Sequence, residues 1–520
     1  MNIGSLFTKS ARTFPDRLAI CFGAQEWTYA QANDRINRLA SGFRNIGLKK
    51  GDHVSILAFN CPQFIEAEFA CLKAGLCANP VNFRLHPKEY GFIIDHSDAI
   101  AVIIGEDFRD PIHSIRDTMP KVKHCICLSN PHESMLDYEK LIASNSPNFE
   151  DVEVDRDDLA LMLYTSGTTG QPKGAMLTHG NLLAMTMNFY ADMSPLGPED
   201  TILHAAPLSH GSGLYAFPNI GKAANNVILE TRSFEPKVVC ETIQKRKITN
   251  MFAAPAMIKI LVDWPEIDNY DLSSLKCLNY GGAPMYVEDL KKAVRKLGQC
   301  LVQLYGQVEC PMTITYLRKE DHVLEGMKDE IERLKSAGIP RTDIEVKVFN
   351  ENDNEVPIDT TGEIVVRGEE VMKGYWKNPQ ATDETLKNGW LHTGDIGKID
   401  EKGYLYLLDR SKDMLISGGE NIYPREIEDV ILCHPAVREV SVIGVPDDYW
   451  GEAIKAIISL KAGKETSEKE IIDFCKQSLA SFKKPKSVEF IDELPKNSTG
   501  KILKRELREK YWQDQERRIR

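Results

Sequence analysis

The chain has 12 cysteines but no CxxC pair, and nowhere an uncharged apolar run of the roughly 18 residues that a membrane span requires. Scattered thiols point to buried, reduced cysteine rather than a zinc site or a disulfide framework. The opening stretch, MNIGSLFTKSARTFPDRLAI, lacks the apolar centre of a secretory leader. Positive charge is also short: 64 basic against 76 acidic side chains give a net −12. That balance argues against wrapping nucleic acid, whose affinity comes from neutralised phosphates, and against adhesion to anionic membranes. The expectation is a cytoplasmic protein with no integral membrane segment and no nucleic-acid partner. A homodimer is compatible with the sequence, which does not fix the oligomeric state.

With 520 residues, 42% hydrophobic and 27% charged, the chain is long enough for two or more domains of ordinary globular composition. Strand-like runs such as HVSILAF from His53, AIAVIIG from Ala99 and TNMFAA from Thr249 alternate with amphipathic helical stretches such as QFIEAEFACLKAG. Alternation of this kind predicts an α/β fold with largely parallel sheets. Past Gly362, GEIVVRG and GYLYLLD predict a β-rich section, and the remainder predicts a small α+β domain. The boundary is placed at Asp409–Lys412, giving a large N-terminal unit over 1–409 and a small mobile unit over 410–520. Three apolar strands run straight into glycine-bearing turns: LALMLY into TSGTTG, KCLNY into GGAPM, and LVQLY into GQVEC. Ligands collect beyond the carboxyl ends of strands in open α/β sheets, so one shared site is expected there.

The first of these turns, YTSGTTGQPKG from Tyr164, has almost nothing apolar to hold it. Gly167, Gly170 and Gly174 let backbone N–H groups approach an anion. Thr165, Ser166, Thr168 and Thr169 offer hydroxyls, and Lys173 offers a point charge. Such a composition ordinarily marks a solvated surface loop. Its position after a strand as apolar as LALMLY favours phosphate binding, although it does not match the GxxxxGK[ST] of P-loop enzymes.

This string resembles the signature of the adenylate-forming superfamily, which includes acyl-CoA synthetases, peptide-synthetase adenylation domains and luciferases. PLSH at Pro207, YGQVE at Tyr305, GWLHTGD at Gly389, DRSKDMLISGGENIYPREIE at Asp409 and PKNSTGK at Pro495 resemble its other motifs, in its order. The resemblance implies that residues 165–170 and Lys173 hold ATP phosphates, that Glu309 binds Mg²⁺ with Thr165, and that Tyr305 stacks on adenine beside Gly306 and Gln307. GGAP, Gly281, Gly282, Ala283 and Pro284, is a weaker candidate for the adenine side. Asp395 would bind the ribose, assisted by Arg410. Val308 stands where the family commonly has a threonine facing the α-phosphate. His210, with Gly211, Ser212, Gly213, Leu214 and Tyr215, would line the acid pocket, and Leu214 occupies the place of an aromatic gate found in some long-chain enzymes. Lys412 would be the hinge, Ser417, Gly418 and Gly419 would border the coenzyme A arm, and Lys501 would be the catalytic lysine. A cation is needed there because a carboxylate attacking the α-phosphorus must approach another anion.

The implied reaction is an ATP-dependent acid–CoA ligation through an acyl-adenylate, with ATP, Mg²⁺ and coenzyme A required. The acid is expected to be a medium- or long-chain fatty acid, with an aromatic or alicyclic acid as the alternative. The same adenylate would also serve an enzyme that loads a carrier protein or a luciferase-like oxygenase. A non-catalytic nucleotide sensor would keep the fold without the chemistry. The absence of a carrier domain beyond residue 501 tilts against a synthetase module. A sensor would be expected to lose Glu309 or Lys501, and both are present.

Overall fold

The computed structural model describes residues 1–165, 172–283, 285–410, 413–417, 420–447, 450–480, 483–496 and 502–512. A nine-stranded sheet contains six consecutive parallel strands: Leu301–Gln307, Cys277–Gly281, Asn250–Ala253, Thr201–His204, Asn225–Ile228 and Leu18–Phe22. An eight-stranded sheet contains six more: Leu159–Thr165, Cys77–Pro80, His53–Leu57, Ala99–Ile104, His124–Cys127 and Leu136–Asp137. Parallel strands need crossovers, and the intervening helices cover the sheet faces. The alternation read from the sequence therefore appears as two largely parallel sheets with antiparallel edge strands.

The β-rich section is an antiparallel five-stranded sheet built around Gly362–Arg367, Trp390–Ile399 and Leu405–Arg410. A second five-stranded sheet includes Leu415–Ser417, Val437–Asp447, Gly451–Leu460 and Ser487–Phe490, with helices Pro424–Leu432 and Glu468–Lys476 beside it. Its core of Leu415, Ile427, Ile431, Val440, Ile454 and Ile471 is separate from the cores of the parallel sheets.

The helix Pro62–Lys73 departs from the amphipathic expectation. It is buried on nearly every side, Glu66, Glu68 and Lys73 included. Two of these charges survive burial through partners. Glu66 takes a two-pronged contact from the Arg35 guanidinium at 2.5 and 3.0 Å, and Lys73 Nζ donates to Asn33 and Asn37 at 2.8 and 2.5 Å. No described helix is long and apolar enough to cross a membrane.

Candidate active site

The neighbouring strands Cys277–Gly281 and Leu301–Gln307 end together, with Gly281 opposite Leu304. A side chain at Gly281 would place its Cβ 2.3 Å from the Leu304 carbonyl oxygen, so only glycine lets the strands close up here. Gly282 follows at φ +79 with open space beside it, and Ala283 is half-buried. One step along, the Tyr305 hydroxyl donates to Asp395 Oδ2 at 2.7 Å, and Gln307 Nε2 donates to the same oxygen at 2.7 Å and to the Thr393 carbonyl at 2.8 Å. Asp395 lies opposite Arg410 in the antiparallel pairing of Trp390–Ile399 with Leu405–Arg410. Tyr305, Gln307, Asp395 and the Arg410 backbone, far apart in sequence, thus share one corner. A phenol fixed at its oxygen presents a held ring face, and a carboxylate beside it suits the hydroxyls of a sugar.

The second corner centres on Glu309. The Tyr375 hydroxyl donates to Glu309 Oε1 at 2.5 Å, and the Met372 N–H donates to the Glu309 carbonyl at 2.8 Å. Tyr375 pairs with Ala175 at the edge of the eight-stranded sheet, and Lys173 Nζ lies 4.9 Å from its ring centre. Tyr375 therefore links the eight-stranded sheet to the turn that follows Leu301–Gln307 in the nine-stranded one. Thr165 and Lys173 face each other as the closing pair of the hairpin that bears the predicted phosphate loop. Of the three strand ends expected to share one site, two lie side by side in the nine-stranded sheet and the third, Leu159–Thr165, lies in the eight-stranded sheet, which the Tyr375–Glu309 bond ties to the first. Sequence reasoning missed Tyr375. Its role depends on a contact spanning 66 positions, and no local pattern marks it. Val308 packs partly buried against the main core.

The third region follows PLSH. His210 sits at the start of the one-turn helix Gly211–Leu214. Its imidazole is open to solvent yet flanked closely enough that desolvation lowers its pKa, with Arg84 acting the same way and the Ser209 backbone opposing. Gly211 abuts the half-buried Phe252 ring, where an added Cβ would lie at 3.0 Å. Tyr215 stacks on Phe252 at 5.1 Å and 24°. Gly213 is pressed against Leu208, whose carbonyl oxygen would lie 2.1 Å from a Cβ. Ser212 is fully buried with its hydroxyl 2.9 Å from His204 Nδ1, and Leu214 lies in the main core. Of the five residues after His210, Gly211 is half-buried and Ser212, Gly213, Leu214 and Tyr215 are buried.

Ser417 pairs with Glu420 and Gly451 at the end of its strand. Gly306 is closely packed, since a Cβ there would lie 2.5 Å from the Met312 nitrogen. Ser166, Gly167, Thr168, Thr169, Gly170, Pro284, Lys412, Gly418, Gly419 and Lys501 lie outside the described residues. No group of three or more His, Cys, Asp or Glu gathers as a metal cage among the described residues. A single carboxylate such as Glu309 fits Mg²⁺, which keeps water and phosphate oxygens as its remaining ligands.

Residues 7–376 match the AMP-binding enzyme family and residues 426–501 match the AMP-binding enzyme C-terminal domain. A feruloyl-CoA synthase from an Amycolatopsis species is 38% identical over 511 residues, covering 98% of this chain and 99% of that protein. A long-chain-fatty-acid–CoA ligase from Escherichia coli O6:H1 is 34% identical over 538 residues, covering 97% and 93%. The crystal structure of the anthranilate CoA ligase AuaEII with anthranoyl-AMP superposes with a TM-score of 0.89 at 26% identity, covering 98% of this chain and 96% of that one. The chain belongs to the AMP-binding, adenylate-forming enzyme family, in its acyl-CoA synthetase branch.

Proposed function

We propose that the protein is an ATP-dependent acid–CoA ligase that forms an acyl-adenylate and transfers the acyl group to coenzyme A. The observation that carries this reading is the convergence of the Tyr305–Gln307–Asp395 corner and the Glu309–Tyr375–Lys173 corner at the ends of two parallel sheets. Asp395 and Tyr305 hold the nucleoside, and Lys173 with the loop after Thr165 holds the phosphates. Glu309, with Thr165, would hold Mg²⁺, which neutralises phosphate oxygens when bound. The acid's carboxylate oxygen attacks the α-phosphorus, the bond from that phosphorus to the bridging oxygen breaks, and pyrophosphate leaves. Lys501 is assigned to relieve the repulsion between the two anions. The C-terminal unit beyond residue 410 then turns about Lys412, the thiol of coenzyme A gives up its proton and attacks the mixed anhydride, and AMP leaves.

For the acid, the Tyr215–Phe252 stack beside Gly211 favours a planar aromatic acid, of the kind named for the feruloyl-CoA synthase relative. The fatty-acid expectation stands as the second reading, supported by the apolar, small-residue segment at 211–214 and by the long-chain ligase relative. A panel of hydroxycinnamic, benzoic and C8–C16 fatty acids, assayed for AMP release with and without coenzyme A, decides between them. A kcat/KM highest for fatty acids would overturn the aromatic reading. Absence of acid-dependent ATP consumption across the panel would overturn the ligase. AMP release that requires a phosphopantetheinyl carrier protein in place of coenzyme A would reassign the acceptor.

A further inference from the structure

Asp395 closes a deformation in the strand Trp390–Ile399, and a carboxylate on the neighbouring strand Gly362–Arg367 holds that deformation in place. Glu363 pairs with Ile396 and Val365 pairs with His392, so Thr393, Gly394 and Asp395 together stand opposite Ile364 alone. A bulge of this kind re-aims the side chains it carries and leaves backbone N–H groups without a ladder partner. Gly394 takes φ +68 within it, which glycine adopts without strain.

Glu363 supplies what the ladder does not. Its Oε1 accepts the Gly394 N–H at 2.9 Å, and its Oε2 lies 2.8 Å from His392 Nδ1. A carboxylate only accepts, so His392 Nδ1 carries the proton and donates it. The Thr393 hydroxyl donates to the Ile364 carbonyl at 2.7 Å and accepts the Asp395 N–H at 3.1 Å. Gln307 Nε2 donates to the Thr393 carbonyl at 2.8 Å and to Asp395 Oδ2 at 2.7 Å. Glu363 therefore grips the bulge at His392 and Gly394, and Gln307 grips it at Thr393 and Asp395. The Glu363 side chain keeps 31% of its surface in water, so its bonds are worth less than buried ones and the effect of losing them is moderate.

The ligase reading uses Asp395 and gives Glu363 no part. We propose that Glu363 is a positioning residue for Asp395: by binding the Gly394 N–H and the His392 imidazole together it fixes the bulge, and with it the direction from which Asp395 meets the ribose hydroxyls. Hydrogen bonds weaken steeply with misalignment, so a relaxed bulge loses the ribose contacts before it loses the fold. This inference rests on the assignment of Asp395 to the ribose.

The test compares two nucleotides and adds a readout that needs neither. Equilibrium binding of ATP and of 2′,3′-dideoxy-ATP, which lacks both ribose hydroxyls, is measured with Mg²⁺ and without acid. The wild type is expected to favour ATP. Glu363→Ala raises the Kd for ATP roughly tenfold and that for dideoxy-ATP by less than about threefold, so the preference collapses. Glu363→Gln keeps an oxygen for the Gly394 N–H and an amide N–H that meets the other His392 tautomer, and retains most of the preference. Glu363→Asp, one methylene too short to reach both partners, narrows the preference in the same way and replaces Glu363→Ala if alanine prevents folding. Without nucleotide, amide hydrogen exchange at Gly394 quickens in Glu363→Ala and stays slow in Glu363→Gln. Unchanged exchange at Gly394 in Glu363→Ala, or equal weakening of both nucleotides, overturns the proposal. A wild type with slow exchange at Gly394 that binds neither nucleotide removes the ribose assignment itself: the clamp on the bulge stands, and its role in presenting Asp395 falls.

Discussion

The Tyr305 hydroxyl donates to Asp395 Oδ2 at 2.7 Å, joining the end of a parallel strand to an antiparallel sheet across 90 positions of sequence. Removing only that hydroxyl, in Tyr305→Phe, leaves the ring and its packing. The expected result is a KM for ATP raised about 3–10-fold, the loss of one hydrogen bond worth about 0.5–1.5 kcal/mol, with kcat little changed. Asp395→Ala removes the acceptor shared by Tyr305 and Gln307, and is expected to weaken ATP by more than Tyr305→Phe does. Steady-state titration with ATP at saturating acid checks both.

Lys501 and Lys412 separate the two half-reactions. Lys501→Ala is expected to lower acid-dependent pyrophosphate–ATP exchange by about 10²–10³-fold, the scale for removing one charge that stabilises a transition state. Wild-type exchange in this variant would remove the role assigned to Lys501. Lys412→Pro is expected to slow thioester formation far more than adenylate formation, because proline fixes the backbone torsion that a hinge must change. Equal losses in both steps would count against a turning C-terminal unit.

Tyr305, Asp395 and Glu309 were singled out in the sequence only through the ordered motifs that carry the family resemblance, because taken alone each reads as an ordinary aromatic, turn aspartate or exposed glutamate. The parallel sheets were legible because apolar strands alternated with helical runs. Tyr375 was not, because its meaning lies in which strand it pairs with. The burial of Glu370 was not, because a glutamate beside Glu369 in a polar stretch reads as surface, and only the fold turns one inward and the other out. The burial of Pro62–Lys73 on nearly every side was hidden for the same reason. Its charges look like a solvated face until Arg35, Asn33 and Asn37 are found opposite them.

Gly213 tests how tightly the acid side is built. Its missing Cβ would lie 2.1 Å from the Leu208 carbonyl oxygen, a backbone atom that cannot swing aside as a side chain does. Gly213→Ala is expected to destabilise the protein by about 1–3 kcal/mol through forced displacement, and to raise the KM for the acid more than that for ATP. Gly211→Ala meets the edge of the Phe252 ring at 3.0 Å, a contact that a small ring shift relieves. Its stability should change little, while its preference among acids should move toward slimmer ones. Thermal unfolding and the acid panel separate the two effects.

Acid stability follows from the buried imidazoles. His204 is enclosed between Ser212 and Asn226, His322 hydrogen-bonds the Tyr280 hydroxyl, and His179 accepts the Ile3 N–H. Desolvation pushes all three down to about 4 in the folded chain. In the unfolded chain each returns to about 6.5, so the unfolded state binds more protons between those values. The stability they contribute is fully present above about pH 6.5 and is lost as pH falls through about 4. The unfolding midpoint should therefore fall steadily across that window. His204→Gln keeps a donor and an acceptor without a titrating ring, and should make the fall shallower without abolishing it, because His322 and His179 still titrate. A midpoint that is flat from pH 6.5 to 4 in the wild type, or a slope unchanged in His204→Gln, would show that these imidazoles do not set the acid limit.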